Sequence, residues 1–277
     1  MPRTATRKIG SAEVTILTDG GLNFPPDYFP ATDAGHIDTL LADAGADGIE
    51  TNFNAVLIRD GANLTLIDAG PRDLFGPSAG FLPEALQEAG TTPAQIQRLF
   101  ATHLHPDHIA GMITPSGSAV FPDAELCVPE GEHAFWNDEA RTNSAGGSVA
   151  EWGALARTVL AAYGDRLRLI KAGGEIAPGL VSMALPGHTP GHSGWRLSSG
   201  DAQLIHVGDI VHVPVLQVPD PEIGIAFDLD MDTARTTRKR LLDELASDGA
   251  LFTGGHFLHP AFHAVERRGS GYRLLRP

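Results

Sequence analysis

Apolar positions recur along the chain in two rhythms. Strand-like runs stand at Val14-Thr-Ile-Leu-Thr18, Phe53-Asn-Ala-Val-Leu-Ile58 and Leu64-Thr-Leu-Ile67. The last two flank Asp60-Gly-Ala-Asn63, a composition suited to a tight turn, so the three predict one antiparallel meander. Helical spacing follows over residues 80–89 and 93–97, then a strand over 98–103 and a long polar helical region from about 130 to 163. Further strands are expected at 167–170, 180–185, 194–197 and 203–207. A helix capped by Asp232 and running over 233–245 comes next, with short strands near 251–253 and 272–275. Strands followed by helices in each half predict an α/β (α+β) architecture of two sheets packed face to face with helices outside. No Ser/Gly-rich linker divides the chain, so residues 1–277 read as one domain. Residues 19–49 are rich in Gly, Pro and Asp with Phe24, Tyr28 and Phe29 among them, and read as a long N-terminal loop covering a site or an interface.

Composition narrows the function. The 277 residues are 42% hydrophobic, enough for a sizeable core, and 32 Gly with 20 Pro point to many loops. The opening Met1-Pro-Arg-Thr-Ala-Thr-Arg-Lys-Ile-Gly carries basic groups but no apolar run, so neither a secretion signal nor a membrane anchor is expected, and the expected setting is cytoplasmic. A net charge of -14 argues against nucleic acid as a partner, because phosphate backbones are bound by dense Lys and Arg. Cys127 is the single cysteine; in the strand-like Glu125-Leu-Cys-Val-Pro129 it reads as a buried structural thiol rather than a nucleophile.

The densest chemistry lies in Thr102-His-Leu-His-Pro-Asp-His-Ile-Ala-Gly111. His103 and His105 are two apart at the end of a predicted strand, which places both imidazoles on one side, within reach of one metal ion. Pro106 ends the strand, so Asp107 and His108 fall on a turn or the first positions of a helix, from where they can face a second ion. Imidazole and carboxylate hold divalent Zn, Fe or Mn without thiolate. Four donors cannot complete two ions, so further donors are expected at later strand ends. His188 in Pro186-Gly-His-Thr-Pro-Gly-His192, Asp209 after Leu204-Ile-His-Val-Gly208, and His256 after Leu251-Phe-Thr-Gly-Gly255 fit that expectation. His192 reads as a packing residue that holds a ligand. His212, three residues after Asp209, reads equally as a substrate contact on the pocket wall or as a packed side chain.

With these residues in view the chain resembles the metallo-β-lactamase superfamily: a His-x-His-x-Asp-His cluster, a Gly-His-Thr-Pro-Gly-His turn, a Gly-Asp and a late His occur in order over about residues 50–260. The resemblance implies a four-layer αββα sandwich. It also implies one ion held by His103, His105 and His188 and a second by Asp107, His108 and His256, with Asp209 and a hydroxide between them and the ions about 3.5–4 Å apart. Asp68 in Leu66-Ile-Asp-Ala-Gly70 matches the family's early Asp-x-Gly turn, a supporting rather than ligating position. Within the superfamily the chain is similar to the methyl parathion hydrolase and lactonase group on Leu66-Ile-Asp-Ala-Gly-Pro-Arg-Asp-Leu-Phe-Gly-Pro77, Val218-Pro-Asp-Pro221 and Gly269-Ser-Gly-Tyr-Arg-Leu-Leu275. That likeness implies a homodimer acting on organophosphate triesters, aryl esters or lactones. Phe75, Phe135, Trp136, His212 and Phe227 are the candidate pocket residues, with Phe24 and Phe81 as further aromatic walls.

Two divalent ions, Zn foremost, would lower the pKa of a bound water to near 7, and Asp107 could take the proton released on attack. The expected reaction is the opening of a lactone or carboxylic ester, with phosphotriester hydrolysis as a main or side activity. A thioester hydrolase resembling glyoxalase II would need a basic pocket, and the chain has only Lys8, Lys171 and Lys239 as lysines. A flavodiiron oxidoreductase would have Glu where His105 stands. A metal-stabilised binding protein without turnover would close its coordination rather than leave positions open.

Overall fold

The computed structural model describes residues 2–275. One sheet has the order β1 (Thr4–Ile9), β2 (Ala12–Phe24), β3 (Ile49–Asp60), β4 (Asn63–Ile67), β5 (Arg98–Phe100), β6 (Glu125–Pro129) and β7 (Leu167–Ile170). β1 to β4 form an antiparallel meander, and β4 to β7 are parallel. A second sheet has β8 (Glu175–Ala177), β9 (Leu180–Ala184), β10 (Ser193–Ser199) and β11 (Ala202–His206) as antiparallel neighbours, with β12 (Phe252–Thr253) added parallel to β11. The hairpin of β13 (Ala264–Arg268) and β14 (Gly271–Leu275) completes the strands. The helices are α1 (Ala34–Ala44), α2 (Leu82–Glu88), α3 (Pro106–Ile109), α4 (Glu130–Trp136), α5 (Glu139–Ala145), α6 (Gly147–Tyr163), α7 (Pro214–Gln217) and α8 (Met231–Asp248).

Alternation along the first sheet divides its side chains between two cores, because successive residues of a strand point to opposite faces. Ile16, Val56, Ile58, Ile67 and Phe100 face the second sheet, where they meet Trp195, Leu197 and Leu204. Their sequence neighbours Leu17, Leu57, Leu66 and Leu99 face outward and are covered by Leu82 and Leu86 of α2 and by Ala156, Val159 and Leu160 of α6. With both faces buried, the central strands read as nearly continuous apolar runs. Leu241, Leu242 and Leu245 of α8 join the core of the second sheet, completing the expected αββα order. Each fully buried Leu, Ile or Phe contributes about 1.5–3 kcal/mol through removal from water. Cys127 lies in the inter-sheet core, and burial pushes its thiol up to about 12, so it stays unionised at neutral pH.

Several expected boundaries shift for identifiable reasons. Residues 19–49 are not a loop: residues 20–24 continue β2 in register with residues 49–53, past an irregularity between Thr18 and Gly20. The segment also contains α1, whose N-terminus is capped by Asp33 and whose end is Gly45 at φ 65°. The Pro, Asp and Gly residues that suggested a loop are its turns and caps. The expected helix over 130–163 is three helices, α5 being capped by Asp138 and separated from α6 at Gly146, φ 69°. α8 begins at Met231 rather than after Asp232, because the Asp230 carboxylate accepts the Thr233 amide. β5 ends at Phe100, so His103 and His105 are brought together by an irregular segment and not by strand alternation. β1, β8 and β13 had no counterpart among the expected strands.

Candidate metal centre

The carboxyl ends of β4, β5, β11 and β12 open on one edge of the sandwich, and the chain leaves each through a turn that carries polar residues inward. Asp68 follows β4 in a left-handed conformation, φ 56°, one that Asp tolerates better than most residues. His103 and His105 follow β5, and Pro106 opens α3 at its first helical position, which sets Asp107 and His108 on its first turn. His188 stands in the turn after β9, Asp209 after β11 and His256 after β12. Gly208, φ 53°, is required before Asp209: a Cβ there would lie 2.3 Å from the His192 ring.

All seven residues expected as ligands meet at this edge. The donor atoms of His103, His105 and His188 lie within 4.8 Å of one another, as do those of Asp107, His108, Asp209 and His256. One oxygen, Asp209 Oδ2, stands 2.9 Å from His256 Nε2, 3.0 Å from His108 Nε2, 3.2 Å from His212 Nε2, 3.6 Å from His188 Nε2 and 3.7 Å from His103 Nε2. His188 Nε2 also lies 2.9 Å from His105 Nδ1. Asp107 Oδ2 is 3.5 Å from His256 Nε2 and 3.6 Å from His108 Nε2.

The opposite nitrogens of three rings are engaged outward. His108 Nδ1 donates to Asp68 Oδ2, His188 Nδ1 to Asp228 Oδ1 and His256 Nδ1 to the Asn52 carbonyl, each at 2.9 Å. These bonds orient the rings, so the Nε2 atoms of all three face inward toward the Asp209 carboxylate, which only accepts. His103 Nε2 and Asp209 Oδ1 are buried without a hydrogen-bond partner. An unpartnered imidazole nitrogen and an unpartnered carboxylate oxygen in a buried cluster of imidazoles and carboxylates are suited to a shared cation, so the donor set fits divalent metal.

Charge divides the cluster in two. Burial, reinforced by neighbouring imidazoles, holds His103, His105 and His188 well below the ordinary histidine range, so they are neutral and ready to donate lone pairs. Burial also opposes a proton on His108 and His256, but the carboxylates Asp209 and Asp107 outweigh it and raise both. Burial would raise Asp209, yet His108, His256, His212 and His103 hold it well below the carboxylate range.

The remaining candidates separate. The His192 ring is used at both nitrogens, accepting the Asp209 amide at 2.9 Å and donating to the Leu185 carbonyl at 2.7 Å, so it positions Asp209. His212 lies on the wall of a cavity of about 190 Å³ whose floor is His105, Asp107, His188, Asp209 and His256. Leu22, Phe24, Tyr28, Phe53, Phe75, Trp152 and Phe227 wall it. Phe75 and Phe227 therefore stand where expected. Trp136 does not: it is fully buried in the outer core and donates to Glu132 at 2.8 Å. Phe135 lines a different groove with Val149, Pro190 and Leu229, and Phe81 packs under Arg3. Trp136 packs edge-on behind His105, ring centroids 5.5 Å apart, outside the cavity, and Trp152 of α6 lines the cavity beside the same ring at 4.7 Å.

Sequence reasoning missed two further residues. Asp228, fully buried, carries the bond to His188. Glu132, also fully buried, accepts the Leu104 amide and Trp136 Nε1–H on one oxygen and the Gly191 amide and Thr189 hydroxyl on the other. It ties the segment bearing His103 and His105 to the turn bearing His188. A Glu on the polar helix start of 130–136 gives no local sign of burial; only its partners, about thirty and sixty residues away in either direction of the fold's closure, reveal it.

Two sheets between helix layers, with imidazoles and carboxylates gathered at an open edge, define a metal-dependent hydrolase. Residues 50–256 match the family model of the metallo-beta-lactamase superfamily, and the chain belongs to that superfamily. A solved structure described as AidC, a dizinc quorum-quenching lactonase in complex with a product, is 27% identical and superposes with a TM-score of 0.91 over 100% of this chain and 99% of that one. Another, the hydrolase AbOPH of the beta lactamase superfamily, is 28% identical with a TM-score of 0.93 over 99% and 97%. The uncharacterized protein YobT of Bacillus subtilis is 28% identical over 168 residues, 56% of this chain and 64% of that protein, so the match spans less than two thirds of that relative.

Proposed function

We propose that this chain opens lactones or carboxylic esters that carry an apolar acyl group, using His103, His105, Asp107, His108, His188, Asp209 and His256 to hold two divalent ions, zinc foremost. The observation that carries the reading is the placement of the cluster on the floor of a cavity with aromatic walls and no Lys or Arg in its lining. Metal held there supplies a Lewis acid for a carbonyl oxygen and a water of lowered pKa. The protein's own groups do the rest. Phe24, Tyr28 and Phe227 pack edge to face at 4.9–5.8 Å, and Phe75 stacks on Phe53 at 4.9 Å. Between these two aromatic groups an apolar chain is removed from water while its reacting carbonyl rests on the floor. Asp107, the most exposed member of the cluster at 21%, reaches the cavity and is placed to take a proton from water and return it to the leaving alkoxide.

Support for a lactone comes from the AidC likeness, whose product complex is that of a lactonase. Hydrolysis of a phosphotriester, suggested by the resemblance to the methyl parathion hydrolase group, belongs to the same reading as a side activity, since a neutral triester fits the same walls. The glutathione thioester reading loses ground, because nothing cationic in the lining would meet a glutathione carboxylate. A homodimer and a cytoplasmic setting rest on the resemblance and the sequence; light scattering and cell fractionation test them. The test of function is a panel of an acyl homoserine lactone, an aryl ester, a dialkyl aryl phosphotriester and S-lactoylglutathione. The expected order is lactone or ester first, triester weaker, thioester absent, with activity lost on chelation and in His103→Ala. Activity that survives both treatments overturns the proposal.

A further inference from the structure

Arg238 of α8 is fully buried, unlike any other arginine among the described residues. Its guanidinium is divided among four groups. Nε donates to the Ile210 carbonyl at 2.5 Å, and Nη1 donates to the carbonyls of Pro221 and Ile223 at 3.0 and 2.7 Å. Nη2 has no hydrogen bond and stands 3.8 Å from Asp228 Oδ2. Asp228, itself without exposed side-chain surface, passes its other oxygen to His188 Nδ1 at 2.9 Å. Ile210 is the residue after Asp209.

A buried guanidinium needs several acceptors to offset the loss of water, and the acceptors it finds are the backbone beside Asp209 and the carboxylate behind His188. α8 also meets the His188 turn directly: Thr237 donates to the Pro186 carbonyl at 2.8 Å, and a Cβ at Gly187 would strike the Ala234 backbone at 2.2 Å. The other half of the centre is braced differently. His108 leans on Asp68 and His256 on the Asn52 carbonyl, both in the chain around the first sheet.

We infer that Arg238 is a positioning residue whose larger effect falls on one ion: through Asp228 it fixes the ring of His188, and with it the site formed with His103 and His105, while its bond to the Ile210 carbonyl reaches only the backbone beside Asp209 and the rings of His108 and His256 are set by Asp68 and the Asn52 carbonyl. The inference rests on the metal-centre reading above. Arg donates in several directions from a planar fork, whereas Lys offers one ammonium point and cannot reach the three carbonyls and Asp228 together.

The test is stepwise metal affinity, measured by competition of zinc-loaded protein with a chromophoric chelator, the two steps being assigned with His188→Ala and His256→Ala. Arg238→Lys and the isosteric Asp228→Asn should each weaken the His188 step by about 10–100-fold, with the other step moving by less than about threefold in Asp228→Asn and by clearly less than the His188 step in Arg238→Lys. Cobalt-substituted protein adds a spectroscopic reading, in which only the absorption of the His188 site should change in Asp228→Asn. Should Arg238→Lys fail to fold, Asp228→Asn, which preserves shape and the acceptor for His188, carries the test. Equal weakening of both steps, or no change in a folded variant, overturns the inference and leaves the metal centre standing. A native chain that binds no metal at all overturns both.

Discussion

His206 shows how a single buried imidazole ties stability to pH. Its Nδ1 accepts the Gly208 amide at 3.0 Å and its ring lies flat on Trp195, centroids 5.2 Å apart. Burial holds it down at about 3, against an ordinary value of 6.5. Between those values the unfolded chain takes a proton that the folded chain refuses. The contribution is therefore complete above pH 6.5 and is lost as pH falls toward 3, at ~1.4 kcal/mol per pH unit. Replacing the group by Phe should flatten the pH dependence of unfolding between pH 4 and 6 by about that slope, measured in denaturant with chelator present; an unchanged slope would contradict the assignment. Phe75 tests the cavity wall in the same way. It is 39% exposed and stacked on Phe53, so Phe75→Ala should raise KM for a long-chain lactone by about 3–10-fold, leave kcat within about twofold, and matter less for a short chain.

Among elements, the seam between α4 and the His188 turn is a close backbone contact behind the cluster. A Cβ at Gly191 would lie 2.1 Å from the Glu132 amide, and one at Gly131 would lie 2.8 Å from the Gly191 Cα. The Glu132 carboxylate then locks the seam through its four bonds. Gly191→Ala should cost about 3 kcal/mol or more in unfolding free energy, since neither backbone can give way, and Glu132→Gln about 1–3 kcal/mol by turning a donor toward another donor. Thermal and denaturant unfolding check both. The members of the cluster were legible in the sequence because each follows an apolar strand and is set off by Gly or Pro, signals that act within a few residues. The strands β3 to β6, with most of both faces buried, were legible for the same reason. Glu132, Asp228 and Trp152 were not, because their roles depend on which helix lies against which turn, and helical spacing alone gives Trp136 and Trp152 the same claim to the cavity. Residues 19–49 misled because caps and turns share their composition with loops.

For the molecule as a whole, the centre joins the two sheets: Asp68, His103, His105 and His108 come from the first, and Asp209 and His256 from the second. Bound metal therefore acts as a clasp between layers, and chelation should lower the melting temperature well beyond the loss of the few bonds around it. With ions at 100 times their dissociation constant each contributes about 2.7 kcal/mol, so calorimetry at increasing zinc should show a rising transition; a transition that ignores zinc would contradict the clasp. The net charge of -14 and the acidic members of the centre work in the same direction, because two divalent cations relieve repulsion that the empty cluster would retain.

His256 closes the centre from the far end of the chain. The Asn54 amide donates to the Gly255 carbonyl at 2.8 Å and the Asn52 amide to the His256 carbonyl at 3.2 Å, a contact across about two hundred residues. During synthesis the second site therefore waits for residue 256, about two hundred residues after the strand that receives it, whereas His103, His105 and His188 have all been made earlier. Metal capture by this protein is in that sense an act of completion: the order in which the donors leave the ribosome gives the His188 half the first chance at a scarce ion, and a nascent chain stalled before residue 256 would carry one ion at most.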